Sequence, residues 1–410
     1  MSKKETGKTE KRSMLDWTLL LIVAVLVIMG LIMQYSASSY DLELVKKQGI
    51  FALAGFAVLF VVSRLPARFF YKLSVAAFAL SMAAVAATMV LGRNIKGAKR
   101  WIEIGPLNFQ PSELLKAALV MILAAVLCKY FHEINNLERI TVKEFFRRRK
   151  EIRLGSFLRE RKGYILPILI VIAAAAFVAV LTKDLGTAVI IFGIGFCMLL
   201  VISPGVRYLI TILIAAGAAS IGLILLFPYR MGRISAWLDL EGNTSDLGYQ
   251  IQQGLYAIGS GGWFGRGLGK SIQKDFIPEP QTDMIFTIVC EELGIIGGII
   301  LIVLFVLLIL RLRKIYNETA DLFGKMIITG VTAHIGLQAI INMAVMANLI
   351  PNTGVPLPFI SYGGTSLLIL LTEIGMVMAV RKKGVDRSRD NVYDTSYAVN
   401  GRQEGRKEAY

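Results

Sequence analysis

The sequence predicts an all-α polytopic membrane protein with about ten transmembrane helices and one large extracytoplasmic loop, between the seventh and eighth helices. Its hydrophobic content of 55% and mean hydropathy of +0.61 are far above the values of soluble domains. The 410 residues also divide into apolar runs, most of them long enough to span the hydrocarbon core of a bilayer. Together these observations exclude a soluble globular protein.

The transmembrane domain is predicted to occupy residues 15–381, and its helices follow the apolar runs. The fifth and sixth runs are separated only by residues 182–185, so they form either a tight hairpin or one broken helix. The first run is longer than the apolar core of a signal peptide and is predicted to stay uncleaved. The predicted spans, about ten in all, are 15–37, 46–64, 69–91, 112–131, 164–181, 186–202, 207–227, 284–310, 325–349 and 359–380.

Basic residues predict the orientation of the chain. Lys and Arg are concentrated in the N-terminal tail (1–14) and in the loop at about 129–163. Because cytoplasmic loops of membrane proteins are enriched in Lys and Arg, this loop and both termini are predicted to be cytoplasmic. The polar tail at 382–410 is predicted to be disordered. Cytoplasmic segments that face anionic lipid headgroups account for the net charge of +16, so nucleic acid is not an expected partner.

The first outward loop, at about residues 92–111, is basic although such loops ordinarily contain few cations. Arg100 and its basic neighbours are therefore candidates to bind an anionic ligand such as a diphosphate. The alternative is a solvated loop anchored by Trp101. In the helix that follows, Glu113 and Lys116 are spaced i, i+3. They either form an intrahelical ion pair or bind substrate at the membrane edge.

The second outward loop, at about residues 228–283, ends at the candidate catalytic residue. Arg230 lies near its start, and Asp275 and Glu279 follow a glycine-rich run that permits close backbone approach. Asp283 directly precedes the eighth span. It is either a helix cap or a carboxylate with a chemical role at the membrane surface.

Two apolar spans carry polar side chains at helical spacing. Thr287 and Glu291 share one face of the eighth span, and His334, Gln338 and Asn342 share one face of the ninth. Such stripes face a bundle interior or a cavity rather than lipid. The alternative is a set of interhelical hydrogen bonds without a further role.

The Pro/Gly segment (residues 351–366) is the most unusual stretch of the chain. Its three prolines and three glycines prevent a regular helix. Irregular backbone at membrane depth is tolerated only where it is buried in protein or lines a water-filled cavity. Ser361, Gly363 and Gly364 are therefore predicted to shape a cavity. The alternative is a re-entrant turn that caps the last helix.

Several motifs in combination resemble the SEDS family (shape, elongation, division and sporulation), which includes RodA, FtsW and SpoVE. The resemblance extends from the first span to Arg381 and is closer to the FtsW/SpoVE branch than to RodA. One departure is Thr182-Lys183, where the family usually has Gln-Pro. The motifs are Gln-Pro-Ser-Glu-Leu-Leu-Lys at 110–116, Asp-Leu-Gly-Thr at 184–187, Pro-Glu-Pro-Gln-Thr-Asp at 278–283, Glu-Glu-Leu-Gly at 291–294 and Pro-Phe-Ile-Ser-Tyr-Gly-Gly at 358–364.

The resemblance implies a peptidoglycan glycosyltransferase that polymerises lipid II at the outer face of the bacterial cytoplasmic membrane, in division, elongation or sporulation. It implies that Asp283 is catalytic, as general base or metal ligand, and that Asp275 and Lys116 are functional. It also implies a class B penicillin-binding protein and other divisome or elongasome membrane proteins as partners. No tightly bound cofactor is expected, although Mg²⁺ or Mn²⁺ would suit a diphosphate substrate. The candidate substrate-binding residues are Lys116, Glu113, Arg100, Arg230, Asp275, Glu279, Ser361, Gly363 and Gly364.

Three other functions are compatible with this architecture. A lipid II flippase would need access to both membrane faces and no essential base. A non-catalytic scaffold would only hold the penicillin-binding protein, and an enzyme of the O-antigen ligase type would transfer to another acceptor. The acids and cations concentrated in the outward loops favour the glycosyltransferase over the flippase.

Overall fold

The computed structural model describes residues 15–95, 98–104, 107–131, 162–202, 228–239 and 246–381, with a few positions between 210 and 222. Both predicted tails, most of the basic loop at 129–163 and nearly all of the seventh predicted span lie outside the described residues.

The described chain is mainly helical, as the sequence predicts. Within it, eight helices are long and apolar enough to cross a membrane, namely α1–α4, α6 and α9–α11. The fifth predicted span is α5, which contains an apolar stretch at 167–178. The chain is thus an integral membrane protein. Its helices are α1 (Trp17–Ala37), α2 (Leu42–Val62), α3 (Ala67–Leu91), α4 (Pro111–Lys129), α5 (Lys162–Leu181), α6 (Leu185–Ile202), α7 (Pro228–Leu238), α8 (Asp246–Ser260), α9 (Ile285–Glu318), α10 (Leu322–Met346) and α11 (Gly364–Arg381).

Helix α4 forms the centre of the bundle. It packs against α3, α5, α6, α10 and α11, and 83% of its most apolar window is buried inside the protein, against 22% for α2 and α3. Pro111 starts α4 at the position where a missing N–H costs no helical hydrogen bond. The charged side chains of Glu113 and Lys116 on α4 are therefore enclosed by other helices rather than by lipid.

The first outward loop contains a small antiparallel sheet that the sequence analysis did not predict. Strands β1 (Gly92–Ile95), β2 (Ala98–Ile104) and β3 (Leu107–Phe109) pair in that order. Ile102 lies opposite Gly92 on one side and Phe109 on the other. Aromatic and β-branched residues favour this pleated pairing. The three strands of the first outward loop therefore pair in a defined register.

A tight turn joins α5 to α6, which pack against each other, so the hairpin alternative is correct and the broken helix is not. Lys183 in this turn has a φ of 53°, in the left-handed region. Proline, whose φ is fixed near about −65°, cannot adopt that conformation. Asp184 then caps α6 by accepting hydrogen bonds from the amide (3.0 Å) and hydroxyl (2.9 Å) of Thr187.

The eighth predicted span is interrupted, and we call this interruption the helix break. Gly294 inside α9 has φ 71° and ψ −171°, which divides α9 into two helical parts. Backbone from the glycine-rich run fills the gap. The amide of Gly267 donates to the carbonyl of Glu292 (3.0 Å), and the amide of Ile295 donates to the carbonyl of Gly262 (2.9 Å). The glycines of this run thus provide the close backbone approach that their composition predicts.

An ion-pair cluster, which we call the basic-end clamp, joins α1, α9 and α11 at the end of the bundle opposite the outward loops. The buried carboxylate of Asp16 accepts from Arg311 (2.6 Å) and Arg381 (2.8 Å), and Arg381 also pairs with Glu318 (3.2 Å). Burial raises the pKa of Asp16, but the hydrogen bonds from Arg311 and the Leu19 amide and the charge of Arg381 outweigh burial and lower it below the ordinary value.

Candidate active site

Asp283 lies in the turn immediately before α9 and is partly exposed. The N-cap of α9 is Met284 rather than Asp283, and no side chain caps this helix. Oγ1 of Thr282 lies 3.1 Å from Oδ1 of Asp283. A partly exposed carboxylate at the end of a membrane-crossing helix is placed where it can meet a proton or a cation at the membrane surface.

The Pro/Gly segment packs directly against the turn that carries Asp283. The amide of Tyr362 donates to the carbonyl of Gln281 over 2.8 Å. A Cβ built on Gly354 would lie 3.8 Å from Oδ2 of Asp283. Gly354 itself has a φ of 67°, which glycine adopts without strain. The irregular backbone predicted from composition therefore forms one wall beside the candidate catalytic carboxylate.

Within the Pro/Gly segment, the three predicted site residues contact protein. Ser361 is buried, and its Oγ accepts from the amide of Leu357 over 2.7 Å. Gly363 donates its amide to Gln48 of α2 over 3.3 Å. Gly364 begins α11 against the ring of Phe51, where a side chain would collide. These positions fix the shape of the segment.

Helix α6 and the outer helix α7 hold the same segment from other sides. A Cβ on Gly186 would lie only 2.6 Å from the carbonyl oxygen of Thr353, so glycine is required for this approach. Arg233 donates to the carbonyl of Asn352 and Trp237 to that of Asn348, each over 2.9 Å. Contacts from α2, α6, α7 and the turn before α9 thus converge on residues 348–364.

Glu113 and Lys116 form the intrahelical ion pair that their spacing allows. Nζ of Lys116 lies 2.8 Å from Oε1 of Glu113, and the two side chains are 1% and 2% exposed. The hydroxyl of Ser366 donates to Oε2 of Glu113 over 3.1 Å. The pair therefore connects the central helix to the start of α11, beneath the protein surface.

The two candidate arginines are placed differently. Arg100, on β2, donates to the carbonyls of Thr182 (3.2 Å) and Lys183 (2.8 Å), and its Nη1 lies 3.8 Å from a carboxylate oxygen of Asp184. It thus closes the C-terminal end of α5 and ties the sheet to the α5–α6 turn. The backbone of Arg230 lies in the first turn of α7, and its side chain lies outside what the structure describes.

Asp275 and Glu279 are exposed in the stretch that leads to Asp283. Asp275 ends a 3₁₀ turn and accepts a long hydrogen bond (3.4 Å) from Ser39. Glu279 has a φ of 53°, and its carbonyl accepts from the hydroxyl of Thr282 over 2.7 Å. Both carboxylates face solvent at the outward end of the bundle.

Two adjacent buried glutamates organise the outward loop and were not predicted as site residues. Glu291 accepts from the hydroxyl of Ser271 (2.5 Å) and from the amide of Ile272 (3.0 Å). Glu292 accepts from the hydroxyl of Ser36 on α1 (2.5 Å). Both are fully buried just before the helix break. Two consecutive acids in an apolar span are the sequence signal that identifies such an anchor.

Among the described residues, no group of three or more His, Cys, Asp or Glu side chains could hold a metal ion.

A family model and curated relatives match nearly the whole chain. A family model described as cell cycle protein, which groups FtsW, RodA and SpoVE, matches residues 16–385. Stage V sporulation protein E of Bacillus subtilis (strain 168) is 34% identical over 387 residues, covering 91% of this chain and 99% of the relative. A probable peptidoglycan glycosyltransferase FtsW of Geobacter sp. (strain M18) is 32% identical, with coverage of 89% and 96%.

Solved structures show the same fold. One chain of a peptidoglycan synthase complex, studied for its coordination of polymerization and crosslinking, superposes with a TM-score of 0.73 at 28% identity, covering 92% of this chain and 99% of that chain. The rod shape determining protein RodA of Thermus thermophilus gives a TM-score of 0.62 at 27% identity, with coverage of 90% and 98%. The chain therefore belongs to the FtsW/RodA/SpoVE family of cell cycle proteins.

Proposed function

We propose that this protein is a peptidoglycan glycosyltransferase that polymerises lipid II, with Asp283 as its general base. The observation that carries the proposal is the placement of Asp283: a partly exposed carboxylate at the outward end of α9, walled by the Pro/Gly segment. Relatives named as probable peptidoglycan glycosyltransferases that align over nearly the whole chain support the reaction class.

The proposed reaction inverts the anomeric carbon of the donor. The carboxylate of Asp283 removes the proton from the acceptor sugar hydroxyl, whose oxygen forms a bond to that carbon. The bond from the carbon to the polyprenyl diphosphate breaks, and the diphosphate leaves with the bonding electron pair. A base within hydrogen-bond reach of the hydroxyl is the requirement for this step. In an alternative role, Asp283 ligates Mg²⁺ or Mn²⁺ on the diphosphate.

The substrate-binding roles follow from position. Asp275 and Glu279 lie on the loop that leads to Asp283, and Arg230 lies in the first turn of α7. We propose that these three residues contact the sugar or diphosphate groups. Glu113 and Lys116 are buried, and Arg100 contacts backbone carbonyls. We therefore propose that these three residues hold the helices and loops around the site in place.

We propose that the outward loops face the exterior of the cytoplasmic membrane and that the basic-end clamp faces the cytoplasm, because basic segments lie at the clamp end.

A class B penicillin-binding protein is the proposed partner. The match to a peptidoglycan synthase complex supports it, and so do the exposed apolar side chains of Trp263, Phe264 and Phe276 on the large loop.

The test is lipid II polymerisation by the purified protein with its penicillin-binding partner, comparing wild type with Asp283→Asn. This substitution keeps the size of the side chain and removes the base, so we expect a rate loss of about 10²-fold or more. Glu43→Gln, an exposed acid at the start of α2, is the matched control and should polymerise normally.

Equal chain formation by wild type and Asp283→Asn would remove Asp283 as the base. If neither protein made glycan chains but lipid II crossed vesicle membranes, a flippase would replace the glycosyltransferase. If the penicillin-binding partner made the glycan chains by itself, this protein would be a non-catalytic scaffold.

A further inference from the structure

Asn342 contacts two parts of the candidate site at once. It lies on α10, is 1% exposed, and donates from Nδ2 to the carbonyl of Asp283 over 2.7 Å and to the carbonyl of Val355 over 2.8 Å. Its carboxamide nitrogen has two hydrogens, so both are used. One side chain therefore joins the turn that carries Asp283 to the Pro/Gly segment.

We propose that Asn342 is a positioning residue for Asp283. The proposal rests on the proposed function of Asp283 and goes beyond it. Asn342 does not reach the carboxylate; it acts through the backbone of residue 283. Fixing that backbone against Val355 sets the distance between the carboxylate and the wall formed by Gly354. We call this arrangement the Asn342 bridge.

The chemistry of the amide explains why this residue type is suited to the bridge. The hydrogen bond to the carbonyl of Val355 is buried and the one to the carbonyl of Asp283 is partly buried, and buried acceptors without a donor are costly. A hydrophobic residue of similar volume would fill the space and remove both of these hydrogen bonds. The Tyr362–Gln281 hydrogen bond would remain, so the turn and the segment would stay close but lose their alignment at residue 283.

A matched control lies one turn away on the same helix. Gln338 is fully buried and on the same face as Asn342, and its amide has no hydrogen-bond partner among the described residues. Gln338→Leu therefore makes a comparable change of polarity and volume in α10 without touching the turn at Asp283.

The first measurement is steady-state polymerisation of lipid II by the complex with its penicillin-binding partner. For Asn342→Leu we expect kcat to fall by about 10–100-fold, because a displacement near 1 Å can cost a reaction about 10²-fold. KM for lipid II should change by less than about threefold, since ground-state binding is untouched. Asn342→Ser, which keeps one donor, should lie between wild type and Asn342→Leu, and Gln338→Leu should match wild type.

The second measurement does not depend on catalysis. In folded Asn342→Leu, peptides covering 277–284 and 355–363 should exchange hydrogen for deuterium about tenfold faster than in wild type. The reason is that lost hydrogen bonds lower the free energy of local opening. Peptides from α4 should exchange as in wild type, and Gln338→Leu should leave both site peptides unchanged.

Unchanged kcat and unchanged exchange in Asn342→Leu would overturn the proposal. Faster exchange throughout the bundle, together with a fall in kcat and a rise in KM of the same size, would also overturn the proposal. Asn342 would then be a general packing residue. If Asn342→Leu did not fold, Asn342→Ser would decide by the same two readouts. Full activity of Asp283→Asn, measured in parallel, would refute the role of Asp283 itself, while the exchange data would still test the bridge.

Discussion

Lys116 is a charged side chain enclosed by helices, and its ion pair with Glu113 is the reason that it is tolerated there. Removing one member of a buried pair leaves an uncompensated charge, whereas removing both leaves none. Glu113→Gln should therefore lower the free energy of unfolding by about 3–5 kcal/mol, and the double variant Glu113→Gln/Lys116→Met should recover much of that loss. Thermal unfolding in detergent of the single variants and the double variant measures this coupling.

A double variant as unstable as the sum of the single variants would contradict this account. Ser366→Ala is a useful control, because it removes only the hydrogen bond from the Ser366 hydroxyl to the Glu113 carboxylate, keeps the ion pair and should cost about 1.5–3 kcal/mol.

At the residue scale, the sequence predicted which side chains are unusual but not what each contacts. Glu113 and Lys116 are spaced i, i+3 on one helix, so their pairing was among the predicted alternatives. Arg100 was predicted to bind an anionic group such as a diphosphate. It instead contacts the α5–α6 turn, whose residues are 82 and 83 positions away in the sequence, and no local pattern predicts such a contact. The same holds for Asn342 and Asp283, which are 59 residues apart.

At the scale of elements, the helix break is the feature most sensitive to a single substitution. Gly294 has a backbone conformation that other residues rarely adopt, and a Cβ there would collide with the backbone of Trp263 and Gly265. Gly294→Ala should therefore destabilise the protein by about 3 kcal/mol or more, from backbone strain and steric overlap together.

The control for this substitution is Gly49→Ala in α2, where a Cβ would meet nothing within 4 Å. Because alanine favours helix over glycine, Gly49→Ala should be neutral or stabilising by up to about 1 kcal/mol. The midpoint of thermal unfolding distinguishes the two, and equal midpoints for both variants would show that the break is not required.

The helix positions themselves were largely predictable. The apolar runs gave eight of the membrane-crossing helices, because hydropathy is a local property of consecutive residues. The sheet of β1–β3 and the break at Gly294 were not predicted. The sheet depends on pairing between strands, and the break depends on amides and carbonyls supplied by a separate loop.

For the whole molecule, the basic-end clamp joins the first and last described helices to α9. Asp16→Asn should lower the free energy of unfolding by about 2 kcal/mol, since charged hydrogen bonds to two arginines are weakened. Because folding lowers the pKa of Asp16, its contribution is present above the ordinary value of 3.8 and is lost as pH falls through the folded-state pKa.

Denaturation measured from neutral pH down to acid should therefore show a loss of stability in wild type that is smaller in Asp16→Asn. An identical acid dependence in both proteins would mean that other carboxylates account for it. Asp41→Asn, whose carboxylate caps α2 from an exposed position, is a control outside the clamp.

The helix break also has a consequence for how the chain is synthesised. A helix interrupted at Gly294 would enter lipid with unpaired amides and carbonyls, which is costly in hydrocarbon. The groups that pair with them belong to residues 262–267, which leave the ribosome about 30 residues earlier. The nascent loop is thus already available when α9 emerges, so the break can be closed during translation, before the last two described helices have been made.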